Sequence, residues 1–326
     1  MKTRVGILMG GYSSESHISE KSAGVVALSI EESFNPILIN VSDEGWFAIE
    51  GETEFQVDLN SLTYTSGNQQ LGFDVIFIAI HGTPGEDGKV QGLLDMIGIP
   101  YTGSSVLSSA LSFDKGKCNT FLKDCKELNI PNSVVLTKAD EPNLKKLISD
   151  IGVPCFVKPC NAGSSYGISK VNTEADFLSA IEHAFKFDDD VLVEQFIDGT
   201  EVSNGIYSAN GVINSLPMTE IVPEGSFFDY EAKYEGSSQE ITPARISVEL
   251  EEKIQAMTRT AFQRLGLNGM ARIDYIIQND VPYLIEANTV PGLSEESILP
   301  QQVKEAGMSL GEFFGILIQD ALDQAN

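Results

Sequence analysis

Cysteine is scarce in this chain: its 326 residues contain only four. So few thiols cannot frame a disulfide-stapled fold. Cys155 and Cys160 flank Lys158, but no histidine or second cysteine pair completes a zinc pattern; reduced structural thiols are expected. The three histidines, His17, His81 and His183, are too scattered for a histidine-rich metal site. Cations are short as well. The chain has 21 Lys and Arg against 47 Asp and Glu, a net charge of −26. Phosphate backbones and anionic bilayers are held by clustered cations, so neither nucleic acid nor membrane is expected as the main partner. No apolar run approaches the ~18 residues of a membrane-spanning helix, and the stretch after Met1–Arg4 lacks the apolar core of a secretion signal. A cytoplasmic protein is the expectation. No GxxxxGK[ST] occurs, and Gly10-Gly11 does not extend to GxGxxG, which disfavours a P-loop NTPase and a nicotinamide dehydrogenase.

Hydrophobic residues make up 42% and charged residues 21%, a balance that builds a packed core rather than a disordered chain. At roughly 150 residues per domain the length suggests two domains or three small ones. The chain opens with a short buried-type strand, Arg4–Met9, a Gly-rich turn and a helix over about Glu15–Ile30. Strands at Pro36–Val41 and Phe73–Ile80 follow, the latter continuously apolar as in a central parallel strand. A Gly-rich loop, His81–Gly88, leads into a helix from about Val90 to Ile97. This rhythm predicts an α/β fold with a doubly wound parallel sheet over residues 1–103.

A second region, 104–193, predicts a helix through Cys125, a strand at Ser133–Thr137, a helix near Pro142–Ile151 and a strand at Pro154–Lys158. A glycine/serine loop, Asn161–Gly167, comes next, then another strand and a helix ending near Phe187. Strands dominate the third region, 194–326. The polar stretch from about Glu224 to Pro243 is long for a structureless connection and is a candidate lid. A helix over Val248–Leu265, a hairpin over Met270–Asn288 and a terminal helix over about Leu310–Leu322 complete the chain.

The hairpin carries the most chemistry. Centred on Asp280, it opposes Arg272 to Asn288 and Asp274 to Glu286, and the two-residue strand period puts all four on one face. Opposed Cβ atoms lie about 4.5–5.5 Å apart, so two carboxylates and an amide oxygen can bracket metal ions spaced about 3.5–4 Å. Such hard ligands suit Mg²⁺ shared with substrate phosphates, and Arg272 adds a fixed fork for an anionic oxygen. A solvated sheet face with cross-strand ion pairs is the alternative. Lys158 ends an apolar strand, and Gly163–Gly167 follows it with backbone N–H groups and hydroxyls for phosphate. Taken alone, that loop is equally a simple turn.

These residues together resemble the D-alanine–D-alanine ligases. His81–Gly88 (HGTPGEDG) with Val90-Gln91-Gly92 resembles that family's first signature, and Ala271–Asp274 through Glu286–Gly292 its second. Gly10–Glu15, Ser112–Lys115, Val157–Pro159, Gly163–Ser165 and Asp229–Tyr234 match in family order, covering nearly the whole chain. The resemblance implies an ATP-grasp fold with ATP held between the central and C-terminal lobes, and a cytoplasmic homodimer. It implies the ATP-dependent joining of two D-alanines through an acyl phosphate, for peptidoglycan synthesis.

It also implies roles. Asp274, Glu286 and Asn288 would hold two Mg²⁺, with Mn²⁺ a possible substitute. Lys115, Lys158 and Ser165 would contact ATP phosphates, and Glu194, Phe196, Ile197 and Glu201 the adenine and ribose. Glu15 would pair with the ammonium of the first D-alanine and His81 would lie near its carboxylate. Arg272 and the N–H of Gly292 would stabilise the tetrahedral oxyanion, and Ser297 would bind the second D-alanine's carboxylate. Ser164 and Tyr234 would bond with Glu15 and close a lid that carries Lys233. The alternatives are a D-alanine–D-lactate ligase, another ATP-grasp carboxylate–amine ligase, or a silent nucleotide-binding regulator that has lost its metal ligands.

Overall fold

The computed structural model describes residues 2–140, 142–161, 163, 166–223 and 238–325. The first strand, β1 (Arg4–Gly10), runs into a turn and α1 (Ser16–Ile30), and then β2 (Asn35–Ser42). Four short strands follow: β3 (Gly45–Glu50), β4 (Thr53–Asp58), β5 (Thr63–Ser66) and β6 (Gln69–Leu71). The chain then returns as β7 (Val75–Ile78) and α2 (Lys89–Ile97). These strands form one sheet in the order β6-β5-β4-β3-β2-β1-β7.

That sheet is mixed rather than wholly parallel. β1 pairs in parallel with β2 and β7, whereas β3 to β6 form an antiparallel meander on the β2 edge. The meander was not anticipated, and its cause is local. Gly51 and Gly67 take φ of 63° and 61° in the tight turns between its strands, and so short a connection can join only antiparallel neighbours. The parallel part is covered on both faces, as its apolar runs require. Val5, Ile7 and Met9 pack with α1 and the C-terminal helix, while Leu8, Ile39, Ile76 and Ile78 pack with Val90 and Leu94 of α2.

Two helices, α3 (Val106–Phe113) and α4 (Lys115–Leu122), replace the single helix expected through Cys125. The break is at Asp114, which leaves helical geometry (φ −80°, ψ 99°) and accepts a hydrogen bond from Lys117 N at 2.9 Å. A carboxylate at that position caps the new helix and opposes its dipole. Next come β8 (Ser133–Thr137), α5 (Leu144–Ile151), β9 (Cys155–Pro159), β10 (Ser169–Val171), α6 (Phe177–Ala184) and β11 (Asp190–Gln195). The four strands form an antiparallel sheet, β10-β9-β11-β8, whose core includes Leu147, Val157, Phe177, Ile181 and Val193.

The third sheet is β12 (Thr200–Ala209), β13 (Val212–Pro223), β14 (Ser238–Ile241), β15 (Met270–Gln278) and β16 (Val281–Asn288), ordered β14-β13-β12-β15-β16. Between β14 and β15 runs α7 (Val248–Arg264), which packs Ile254, Met257 and Phe262 on Val202, Ile206 and Ile273. The chain ends with α8 (Ile298–Glu305) and α9 (Leu310–Gln324). Two details correct the sequence reading. Residues 238–241 of the expected lid are strand β14, paired with residues 220–223; four residues are too few to reveal a period. Helix α8 was not anticipated, although Pro300 sits in its first turn, where a missing N–H costs nothing. Among the described residues no helix is long and apolar enough to cross a membrane.

Candidate active site

A cavity of about 750 Å³ is lined by residues of the second and third sheets, by the start of α1 and by the loop after β7. Its floor is the β15–β16 hairpin. The hairpin turn is Asn279-Asp280, both residues at positive φ (51° and 61°), the geometry of the two-residue turn that matches strand twist. Gln278 pairs with Val281, a register that, continued, would set Asp274 against Ile285. A bulge between Asp274 and Tyr275 shifts the register by one residue, so Asp274 faces Glu286 and Arg272 faces Asn288. The expected facing pairs therefore form, by way of a bulge that the sequence reading did not contain.

Asp274 is the centre of this floor. Arg272 grips it with two bonds, Nε to Oδ1 at 3.0 Å and Nη2 to Oδ2 at 2.9 Å. Ser203 Oγ of β12 donates to Oδ1 at 2.5 Å, and Asn288 Nδ2 donates to Oδ2 at 3.1 Å. Asn288 Nδ2 also lies 3.5 Å from Glu286 Oε1, and Lys115 Nζ lies 3.7 Å from Glu286 Oε2. Among the described residues no three His, Cys, Asp or Glu side chains gather as a metal cage. Two carboxylates and one amide still fit Mg²⁺, which prefers oxygen, keeps several waters and shares substrate phosphates. A half-turn of the Asn288 amide replaces its nitrogen with an oxygen facing the carboxylates.

One wall is a slot for a flat apolar group. Phe156, Ile168, Phe196, Ile197, Ile276 and Ile285 line it, with Phe156 and Phe196 edge to face at 5.7 Å and the Lys170 ammonium 3.9 Å from the Phe196 ring centre. Lys158 and Glu194 meet here. Lys158 Nζ donates to Glu194 Oε2 at 2.6 Å, both side chains being buried, and Asn119 Nδ2 donates to Oε1 at 3.0 Å. An unpaired buried charge is costly, and here each buried group has the other as its partner. Glu201 also lines the cavity.

Another wall comes from the first lobe, through the start of α1 and the loop after β7. Glu15 occupies the N-cap position of α1 yet makes no side-chain cap. Its carboxylate turns instead toward Gly163, so closely that a Cβ there would lie 2.2 Å from Oε2. Any side chain at 163 would displace it. His81 is fully enclosed. Its Nδ1 bonds the Val290 carbonyl at 2.8 Å and its Nε2 lies 2.9 Å from Ser22 Oγ. A carbonyl only accepts, so Nδ1 carries the proton and Nε2 accepts from the hydroxyl. Burial pushes the imidazole pKa down, against the pull of the Glu15 charge, in keeping with a neutral ring. His81 thus ties the Gly-rich loop to the segment after β16, with both nitrogens engaged.

Glu86 makes the same tie from the other side. It accepts from Gly82 N at 2.7 Å and Val290 N at 3.3 Å. Burial, aided by the Glu15 charge, pushes its carboxyl up to about 8 from an ordinary 4.5. A group protonated more readily in the folded state stabilises the protein fully at low pH. That contribution is lost as pH rises from about 4.5 through about 8. We expect the urea midpoint of Glu86→Gln, relative to that of the natural chain, to rise steadily between pH 5 and 8, as the natural chain alone loses this contribution. Parallel slopes for the two proteins would contradict the assignment.

At the far end, Gly292 and Ser297 lie together: a Cβ on Gly292 would stand 2.8 Å from Ser297 Oγ. Ser297 begins α8, and its hydroxyl bonds Ser294 Oγ at 2.9 Å instead of capping the helix. The cavity therefore gathers Glu15, His81, Lys115, Lys158, Glu194, Phe196, Ile197, Glu201, Arg272, Asp274, Glu286, Asn288, Gly292 and Ser297. Ser164, Ser165, Lys233 and Tyr234 lie outside the described residues. Sequence reasoning missed Phe156, Ser203, Glu86 and Glu240. Phe156 was within reach, since it shares a strand face with Lys158 two residues on; Ser203 needed the β12–β15 register, which no local pattern shows.

A mixed α/β fold of this kind, with an apolar slot above paired carboxylates and lysines, defines the ATP-grasp class of ligase. The family model described as D-ala D-ala ligase C-terminus matches residues 122–319, and that described as D-ala D-ala ligase N-terminus matches residues 4–104. A D-alanine–D-alanine ligase of Flavobacterium johnsoniae is 45% identical over 320 residues, covering 98% of this chain and 99% of its own length. The solved D-alanine–D-alanine ligase of Coxiella burnetii superposes with a TM-score of 0.89 at 26% identity, covering 99% of this chain and 95% of that one. The ligase of Bacillus anthracis complexed with ATP superposes with a TM-score of 0.81 at 28% identity, covering 100% and 98%. The chain belongs to the D-alanine–D-alanine ligase family.

Proposed function

We infer that the protein joins two D-alanines to D-alanyl-D-alanine, consuming ATP, as a step of peptidoglycan precursor synthesis. The observation that carries this reading is a single cavity. In it the Arg272, Asp274, Glu286 and Asn288 face shares one space with Lys115, Lys158, Glu15, Gly292 and Ser297.

A carboxylate is a poor acyl donor, so the first D-alanine takes the γ-phosphoryl group of ATP and becomes an acyl phosphate. Glu15 holds its ammonium. Lys115, Lys158 and Ser165 hold phosphate oxygens, while Glu194, Phe196, Ile197 and Glu201 seat the adenine and ribose. Asp274, Glu286 and Asn288 would hold two Mg²⁺, for which Mn²⁺ could substitute, and such ions would supply positive charge to the phosphate oxygens. The free amine of the second D-alanine, its carboxylate on Ser297, then attacks the acyl carbon. Arg272 and the Gly292 N–H bear the oxyanion that forms, and inorganic phosphate departs as the carbonyl returns. To Ser164, Tyr234 and Lys233, which lie outside the described residues, we assign the exclusion of bulk water, which would hydrolyse the intermediate. The site belongs to a protein of three lobes, residues 1–103, 104–193 and 194–326, acting as a cytoplasmic homodimer.

The second reading, D-alanine–D-lactate ligation, differs in the acceptor alone. D-Alanine presents mainly an ammonium near neutral pH and D-lactate a neutral hydroxyl. We expect dipeptide to dominate when both acceptors are supplied equally at pH 7, with products resolved by mass. Depsipeptide dominating from pH 6 to 9 would establish the second reading.

A further inference from the structure

The acceptor end of the cavity contains a carboxylate that the proposed reaction leaves without a role. Glu240 lies on β14 opposite Ile221 of β13, in the cavity wall that also includes Arg272, Gly292, Ser294 and Ser297. Its Oε2 accepts a 2.9 Å hydrogen bond from Gln301 Nε2, which also donates at 2.7 Å to the backbone carbonyl of Glu296. Gln301 follows Ser297 by one helical turn, its N–H bonding the Ser297 carbonyl at 3.2 Å. One amide therefore pins Glu240 to the start of α8, the element that presents Ser297.

The charges around it are unbalanced. Among the described residues no lysine or arginine forms an ion pair with Glu240. Arg272, the cation that influences it, has its fork on Asp274. The side chain is half-buried, and burial pushes its carboxyl upward while Arg272 draws it down. A fixed, partly desolvated anion beside a hydroxyl and a helix N-terminus is complementary to a zwitterion, whose ammonium and carboxylate need opposite partners.

We propose that Glu240 is a specificity-determining residue of the acceptor subsite, receiving the ammonium of the incoming amino acid while Ser297 and the start of α8 receive its carboxylate. Gln301 is the positioning residue that aims it. The assignment rests on the ligation reading above and deepens it, because it names the group that prefers an amino acid over a hydroxy acid. A neutral hydroxyl gains much less than an ammonium from a carboxylate, so D-lactate forfeits most of this contact.

The test is steady-state kinetics on the full chain with Glu240→Gln and Gln301→Met, separating the donor and acceptor D-alanine constants. Each protein is then run in an equal mixture of D-alanine and D-lactate. Glu240→Gln keeps the shape and an acceptor for Gln301 but removes the charge. The acceptor KM should rise about 10–150-fold, the donor KM and ATP affinity should stay within about twofold, and product should shift toward depsipeptide. Gln301→Met should move both readouts the same way by a smaller factor. An acceptor KM and product ratio unchanged in an active Glu240→Gln would overturn the proposal and leave the ligation reading standing. So would equal losses at the donor and ATP sites. If Glu240→Gln fails to bind ATP, Gln301→Met decides by the same two readouts. A natural chain that makes no dipeptide overturns the ligation reading and this proposal with it.

Discussion

Glu286→Gln should lower turnover by about 10²–10⁴-fold while leaving the fold intact. The change keeps size and hydrogen-bonding capacity but removes one charge from the group that faces Lys115 at 3.7 Å and Asn288 at 3.5 Å. Phosphoryl transfer leaves little covalent work to a protein, so positioning and charge stabilisation supply most of the acceleration. A carboxylate facing Asp274 across β15 and β16 supplies half of the formal negative charge available to Mg²⁺ on that floor. The melting temperature should hold, because the Glu286 side chain is partly solvated and the glutamine amide oxygen can still face the Lys115 ammonium. Near-normal turnover at saturating Mg²⁺ would show that the hairpin face is not the metal floor.

Arg272→Met should cost about 10²–10³-fold in turnover, the loss typical of removing an oxyanion donor, with ATP affinity little changed. Two bonds from Nε and Nη2 to Asp274 fix the plane of the guanidinium in the cavity wall. This preorganisation is what a lysine lacks, being a single flexible point charge. Arg272→Lys should therefore recover only part of the loss. The readout is single-turnover product formation beside ATP affinity measured by calorimetry. A variant that loses ATP binding and keeps its single-turnover rate would reassign Arg272 to the nucleotide.

How much of this was legible in the sequence depended on the range of the interaction involved. The apolar runs of β1 and β7 announced a sheet covered on two faces, because period and continuity are local properties. The antiparallel meander, residues 45–71, was invisible to that reasoning: strands of three to six residues carry too little alternation, and only the glycine turns betray them. The facing pairs on the hairpin were readable as a pattern of four polar positions. The route to them was not, since the turn at Asn279-Asp280 and the bulge offset each other by one residue. Side chains whose role depends on another sheet or strand stayed hidden. Glu194 was expected at the nucleotide, but its salt bridge to Lys158 depends on the β9–β11 pairing. Ser203 and Glu240 entered the site only through strand registers between distant segments.

The most direct test of the ligation account is to incubate the purified chain with ATP, Mg²⁺ and D-alanine and follow ADP, phosphate and dipeptide together. The account predicts one phosphate and one D-alanyl-D-alanine for each ATP consumed, with no appreciable ATP turnover when D-alanine is omitted. ATP hydrolysis indifferent to D-alanine, or phosphate released without any dipeptide, would contradict it.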